Sequence, residues 1–209
     1  MVPKTGPNIL VARKQGSAAV LKRVAGLGKL AAYVGIPAAS TRTRSEQLLG
    51  MAAATKGKTK KTKLQKAAES DVTNAELLFL FSKGSPIRKQ PARPVLEPAV
   101  AADGNREPIA REIAASCKAS IAGDHDMAVK KMKRAALAGQ NAARKWFTDS
   151  RNGWKPLADS TKQGRLKNMT KGQTAKATGE DGELLDSAFT AGVDTGAMRA
   201  AIVGVVAEE

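Results

Sequence analysis

The chain has 209 residues and a formal net charge of +16, and 38 of its residues are alanine, which buries little area. Ile, Leu, Val and Phe together number 40 and only seven residues are aromatic, a composition near the edge of what folds unaided. It excludes two independent, well-filled cores and predicts one modest ordered core with long appendages, completed by burial against neighbouring subunits.

The charge is unevenly placed. Residues 1–70 carry 14 Lys/Arg against 2 acids, residues 71–150 carry 13 against 9, and residues 151–209 carry 8 of each. The N-terminal third is therefore a polycation suited to nucleic acid, anionic lipid or an acidic protein face. One cysteine, Cys117, excludes an intrachain disulfide and a cysteine zinc cluster and suits a reducing compartment. No apolar run approaches the roughly 18 residues of a membrane span. Lys4, Arg13 and Lys14 interrupt the only short apolar stretch that a leader would need. The expectation is a protein made and used in a cytoplasm, without a membrane partner.

In chain order, Val20, Val24, Leu27, Leu30 and Ala31 recur at helical spacing and predict a helix over 18–34. Tyr33 to Pro37 reads as a short strand stopped by Pro37. Residues 38–73 show no sustained period, and Lys56, Lys58, Lys60, Lys61, Lys63 and Lys66 crowd six like charges together, predicting an extended arm or long loop. Asn74–Phe81 is the most apolar run and the best strand candidate, ended by Gly84 and Pro86. Pro91, Pro94 and Pro98 force extended or turn geometry. Pro108–Ala122 reads as a helix with Pro108 at its first position and Gly123 at its end. A second helix, capped by Asp124 or Asp126, runs to about Thr148, its apolar side formed by Val129, Met132, Ala136, Ala143, Trp146 and Phe147. Its opposite face places Lys130, Arg134, Asn141 and Lys145 on one stripe, which reads as a solvated face or, more sharply, as one that guides DNA. The rest is turn-rich, with Ala200–Val206 as a closing strand.

The motifs that suggest chemistry are weak. Lys56-Gly-Lys-Thr59 looks like the end of a phosphate loop, but the leading glycine is Ala52 and no strand precedes it. Gly26-Leu-Gly-Lys-Leu-Ala31 follows a helical period, where a dinucleotide fingerprint needs a strand. His125 is the single histidine and reads as an exposed turn residue. Glu180, Asp181, Glu183 and Asp186 do not match a calcium loop and read as an acidic surface able to pair with the basic N-terminal region of another subunit. No cofactor, metal or catalytic residue is expected.

Three segments, taken in order, resemble the neck or tail-completion (head-tail joining) proteins of tailed bacteriophages. Ala75-Glu-Leu-Leu-Phe-Leu-Phe-Ser-Lys-Gly-Ser-Pro86 followed by Pro91-Ala-Arg-Pro-Val-Leu-Glu-Pro-Ala99 is similar to that family's turn and its proline-alanine-arginine-proline stretch. Gly153-Trp-Lys-Pro-Leu157 resembles its tryptophan-proline-leucine segment, and Asp194-Thr-Gly-Ala-Met-Arg-Ala-Ala-Ile202 its aspartate-threonine-glycine motif. Departures include Ser82-Lys83 before Gly84, Val95 where the family has Phe, and Ala191-Gly-Val193 in place of proline-leucine.

The resemblance implies an α+β virion protein, with a small antiparallel sheet (33–36, 74–81, 200–206) packed against two or three helices and a long basic N-terminal arm or loop. The division it suggests is a first helix and strand over 1–37, the Lys/Thr-rich arm over 38–73, and an α+β core of the same domain over 74–209. It implies a non-enzymatic, ring-forming component of the virion neck, assembled in the host cytoplasm, that joins head to tail. Its partners would be further copies of itself, other neck, connector and tail proteins, and packaged DNA in the channel. Phe79, Phe81, Pro91, Arg93, Pro94, Trp154, Asp194 and Arg199 are the expected subunit or partner contacts. The lysines at 56, 58, 60, 61, 63 and 66 are the expected contacts to DNA or an acidic partner. The alternative is a basic nucleic-acid-binding accessory protein.

Overall fold

The computed structural model describes residues 8–37, 44–69, 72–87, 89–167, 169, 171–179, 181–192 and 196–208, with side chains from residue 18 onward except those of 59, 60, 187 and 208. The fold is mixed α+β, mostly helical, with one two-stranded antiparallel sheet among the described residues. The chain divides into two compact units, neither of them a continuous stretch. One comprises the described residues up to Val34, Ala102–Gly139 and the end of the chain from Gly204, and the other comprises Gly35–Ala101 and Gln140–Val203. This partition cuts across the three-part division read from sequence.

In the first unit, α1 (Asn8–Leu27) ends at Gly28 and Lys29, and β1 (Leu30–Gly35) begins at once. The predicted helix over 18–34 is thus corrected at its C-terminal end, where the β-branched and aromatic pair Tyr33–Val34 favours a strand. α6 (Arg106–Ala122) and α7 (His125–Trp146), whose residues up to Gly139 belong to this unit, correspond to the two predicted helices, except that α6 starts two residues earlier, at Arg106, so that Pro108 is third in the helix and not first. Gly123, at φ +92°, makes the sharp turn between them, and the Asp124 carboxylate accepts the Met127 N–H at 2.9 Å as a cap. Ser116, fully buried, donates across this helix pair to the Ala128 carbonyl at 2.7 Å. α1 is tied to α6 by Arg23 Nη1 donating to the Ile121 carbonyl (3.1 Å) and Ser120 Oγ donating to the Arg23 carbonyl (3.2 Å).

β1 pairs with β2 (Val203–Glu208), and the sheet is closed onto the alanine-rich α7 by small residues. A Cβ on Gly204 would clash with the Ala136 carbonyl oxygen, and one on Gly139 would lie 2.7 Å from Val34 Cγ2. Backbone therefore meets backbone where larger side chains would hold the layers apart. The closing strand starts at 203 rather than 200, because Gly196 first opens a short helix, α10 (Ala197–Ala201).

The second unit corrects two expectations. Residues 44–68 are not an extended arm but a helical hairpin, α2 (Arg44–Ala53) and α3 (Lys58–Ala68). Leu48 and Ala52 on one helix and Leu64 and Ala68 on the other are buried together with Ala197, with Met51 and Ala67 packed around them. Two apolar residues four apart on each helix suffice for a seam, and lysine is a good helix former once its charge faces water. Arg44 Nη1 fastens the hairpin by donating to the carbonyls of Ala67 (3.2 Å) and Val72 (3.3 Å).

The run Asn74–Phe81 is not a strand but α4 (Asn74–Lys83). Thr73 and Glu76 form a capping box: Thr73 Oγ1 accepts the Glu76 N–H at 3.2 Å and Glu76 Oε2 accepts the Thr73 N–H at 2.8 Å. That reciprocal pairing fixes the start of a helix and overrides the strand propensity of the run. The antiparallel sheet accordingly has two strands instead of three. After α4 a tight turn and an extended strap over 91–95 lead into α5 (Leu96–Ala101), where Pro98 sits in the first helical turn, which does not need its missing N–H. Beyond α7, the turn-rich segment contains α8 (Asp159–Leu166) and α9 (Lys171–Ala177).

Candidate functional site

α4 sorts its apolar side chains to two sides. Leu78 and Phe81 are buried, whereas Phe79 is 63% exposed with Leu80 and Val72 exposed beside it. The capping box that sets this register also holds the Glu76 carboxyl below the usual carboxylate range, chiefly through the Thr73 backbone N–H and then its hydroxyl. Glu76 is therefore an anion at the edge of an apolar face.

On the inner side, Phe81, Phe147 and Trp154 form an aromatic cluster. Phe81 and Phe147 stack at 5.9 Å between ring centroids, and Trp154 meets them edge-on at 5.3 and 5.8 Å. Gly192, at φ +75°, closes over the cluster, and a Cβ there would approach Phe81 to 2.8 Å and Phe147 to 2.9 Å. Arg93, only 5% exposed, lies over the Phe81 ring at 5.9 Å. Its Nη2 donates to the Lys155 carbonyl at 2.9 Å and its backbone N–H to the Phe81 carbonyl at 3.0 Å. Burial, and secondarily the charge of Arg165, lowers its pKa from the ordinary arginine value. The buried guanidinium thus ties the extended strap to α4 on one side and to the segment after Trp154 on the other.

These positions separate the expected contact residues into two groups. Phe81, Arg93 and Trp154 are brought together, with Phe81 and Arg93 buried inside the unit and Trp154 half-buried beside them. Phe79 and Pro94 are exposed, and Pro91 and Arg199 are half-buried. Asp194 lies outside the described residues. Of the lysines, Lys56 precedes α3 and Lys58, Lys61, Lys63 and Lys66 are exposed along it; Lys60 lies within α3 but its side chain is outside the described residues.

The remaining motifs settle into ordinary structural positions. Gly57 is the N-cap of α3 at φ −80°, preceded by α2 and not by a strand, so Lys56–Thr59 lacks the architecture of a phosphate loop. Asp186, expected as part of an acidic surface, instead pairs with the buried Lys162, whose Nζ is 2.6 Å from Asp186 Oδ1 and 2.9 Å from Asp159 Oδ1. Both hydrogen bonds raise the Lys162 pKa, that to Asp186 more. Among the described residues no group of three or more His, Cys, Asp or Glu is placed to hold a metal ion. Arg144, counted in the basic face of α7, turns to the carbonyls of Ala200 (2.7 Å) and Ile202 (2.9 Å), while Lys130, Arg134, Asn141 and Lys145 are exposed.

Two features are not legible in the sequence. One is the exposure of Ile87, 96% in water on the turn between Ser85 and Gln90; Gly84 and Pro86 announce the turn but not its apolar tip. The other is a cavity of about 450 Å³ lined by Arg23, Gly26, Lys29, Leu30, Ser120, Gly123 and His125, beside the contact of α1 with α6. No protein-family model matches the chain, no curated protein matches its sequence, and no solved structure matches its fold.

Proposed function

We propose that this chain is a structural virion protein of a tailed bacteriophage, a ring-forming neck or tail-completion component that joins head to tail. The observation that carries the reading is the outward apolar face of α4, where Phe79 and Leu80 are left in water, with Val72 exposed just before the helix. Phe79 and Leu80 fall within the first segment that resembles the phage family. A chain with so few large apolar residues loses free energy by exposing them, at about 25 cal/mol per Å², unless another surface covers them. Copies of itself and the adjoining neck and tail proteins are the partners, and the work is mechanical and electrostatic. Particles assembled without this protein should accumulate as filled heads and separate tails under the electron microscope, and complete virions in normal yield would contradict the reading.

The rival reading, a basic nucleic-acid-binding accessory protein, is favoured by one specific observation: α3 carries Lys58, Lys61, Lys63 and Lys66 on its exposed sides. Because Leu64 of the same helix is buried in the core, deleting the segment would damage the fold, so charge reversal is the appropriate test. If DNA binding is the function, Lys→Glu changes at these four positions should abolish it. Binding by the unaltered chain should then weaken by about 0.9 in log affinity per phosphate contact for each decade of salt. Under the neck reading the same variant still folds and fails in head-tail joining instead.

A further inference from the structure

We propose that the apolar tip of the Ser85–Gln90 turn in one copy inserts into the groove beside Phe79 on α4 of a second copy, making a head-to-tail contact. This inference rests on the ring reading above and assigns the two surfaces that meet.

The donor surface is Ile87, the most exposed of the large apolar side chains among the described residues. It stands on a braced turn. Ser85 and Gln90 exchange backbone hydrogen bonds, both 2.9 Å, and the Lys89 N–H donates to the Pro86 carbonyl at 3.1 Å. At the base, Gly84 takes φ +76°, and a Cβ there would lie 2.7 Å from both Ala92 N and the Gln90 carbonyl oxygen. The described residues on both sides of the tip are therefore braced by the chain's own backbone. An isoleucine in water contributes nothing to the packing of its own chain, yet a turn braced at its base loses little conformational entropy on docking.

The acceptor surface is a cavity of about 530 Å³ lined by Val72, Ala75, Glu76, Phe79 and Leu80. Its lining is apolar apart from Glu76, which remains ionised through the hydrogen bonds it accepts from Thr73. The incoming turn carries Lys89 two residues beyond Ile87. Seating Ile87 in the groove therefore brings a cation to the one anion on its edge, and this complementarity points to a second copy as the occupant. Because the tip and the groove are different patches, each copy retains one unused tip and one unused groove. Such a heterologous contact propagates and closes into a ring when the rotation permits.

The test uses the full-length protein, with its association followed by native mass spectrometry and sedimentation velocity. Ile87→Asp removes the tip and leaves the groove, whereas Phe79→Lys spoils the groove and leaves the tip. Both positions are exposed, so each variant should keep the fold of the unaltered chain, checked by its circular dichroism spectrum and a cooperative melt. The expected result is an oligomeric parent, each variant weakened at least tenfold in association, and an equimolar mixture of the two that forms dimers and nothing larger. Assembly of Ile87→Asp like the parent would overturn this contact while leaving a ring intact. A mixture that yields no dimer would overturn the pairing of these two surfaces. A parent chain that stays monomeric would overturn the ring reading and this inference together.

Discussion

The two units of this chain solve the same shortage of large apolar residues in opposite ways. The second unit holds six of the seven aromatic residues and places Phe81, Phe147 and Trp154 in mutual contact, with Arg93 laid over one ring. The first unit holds only Tyr33, and packs by close approach: Gly204 against Ala136, Gly139 against Val34, Ser116 bonded across α6 and α7. A core filled with rings is vulnerable to lost volume, whereas one made by contact of backbones is vulnerable to added volume. The first unit also leaves more apolar side chains in water, including Leu21, Val24, Ile121 and Leu137. Close packing of small residues fixes geometry without burying much area.

The contrast breaks most sharply at Phe147, which is almost wholly buried among its two aromatic neighbours. Phe147→Ala should cost about 3–5 kcal/mol in denaturant unfolding, and a loss below about 1 kcal/mol would mean that the cluster is not the keystone of its unit. In the first unit the informative change adds a single methyl group. Gly204→Ala drives a Cβ onto the Ala136 carbonyl and should cost about 1–3 kcal/mol. A neutral outcome there would show that β2 can lift off α7 without penalty.

A smaller effect is expected at the start of α4. Thr73→Ala removes half of the capping box and should cost about 1 kcal/mol, measurable as a lower denaturation midpoint.

The smallest effect is a pH dependence at Asp149. The Arg151 side chain, and next its backbone N–H, hold the Asp149 carboxyl at about 2, below its ordinary value of 3.8. A depressed carboxylate pKa contributes stability that is present above the unfolded value and lost as pH falls through the folded one. The stability gap between the parent and Asp149→Asn should therefore be constant at pH 5 and shrink between about pH 4 and pH 2. A gap that does not move across that window would show that the Arg151 pair makes no difference to folding.

Legibility differed along the same line as packing. α6 and α7 follow from spacing, Gly123 and an Asp cap, because these signals are local, whereas α6 begins two residues before the Pro108 expected to open it. α4 was read as a strand from its apolar density, although Thr73 and Glu76, three residues apart, carry a helix-start signature. α2 and α3 were hidden because each buries only two residues of its apolar seam, Leu48 with Ala52 and Leu64 with Ala68, beneath a dominant lysine pattern. The approach of β2 to α7 has no local signature, since it joins residues 204 and 136 from distant parts of the chain and needs only that one of them be glycine. Of the expected contact residues, Phe79 lies on the outer face, but Phe81, Arg93 and Trp154 look identical in sequence whether they face a partner or one another. In the folded unit Phe81 and Arg93 are buried, and Trp154, edge-on to Phe81, is half-buried.

The central claim is that this chain is a virion building block whose exposed apolar surface is covered by further copies of itself. The most direct measurement is the mass of the purified full-length protein by native mass spectrometry across a range of concentrations. The account predicts a closed oligomer of one defined copy number that persists on dilution and dissociates when the outer face of α4 or the tip residue Ile87 is altered. A chain that remains monomeric at every concentration, with an unchanged cooperative melt, would contradict it.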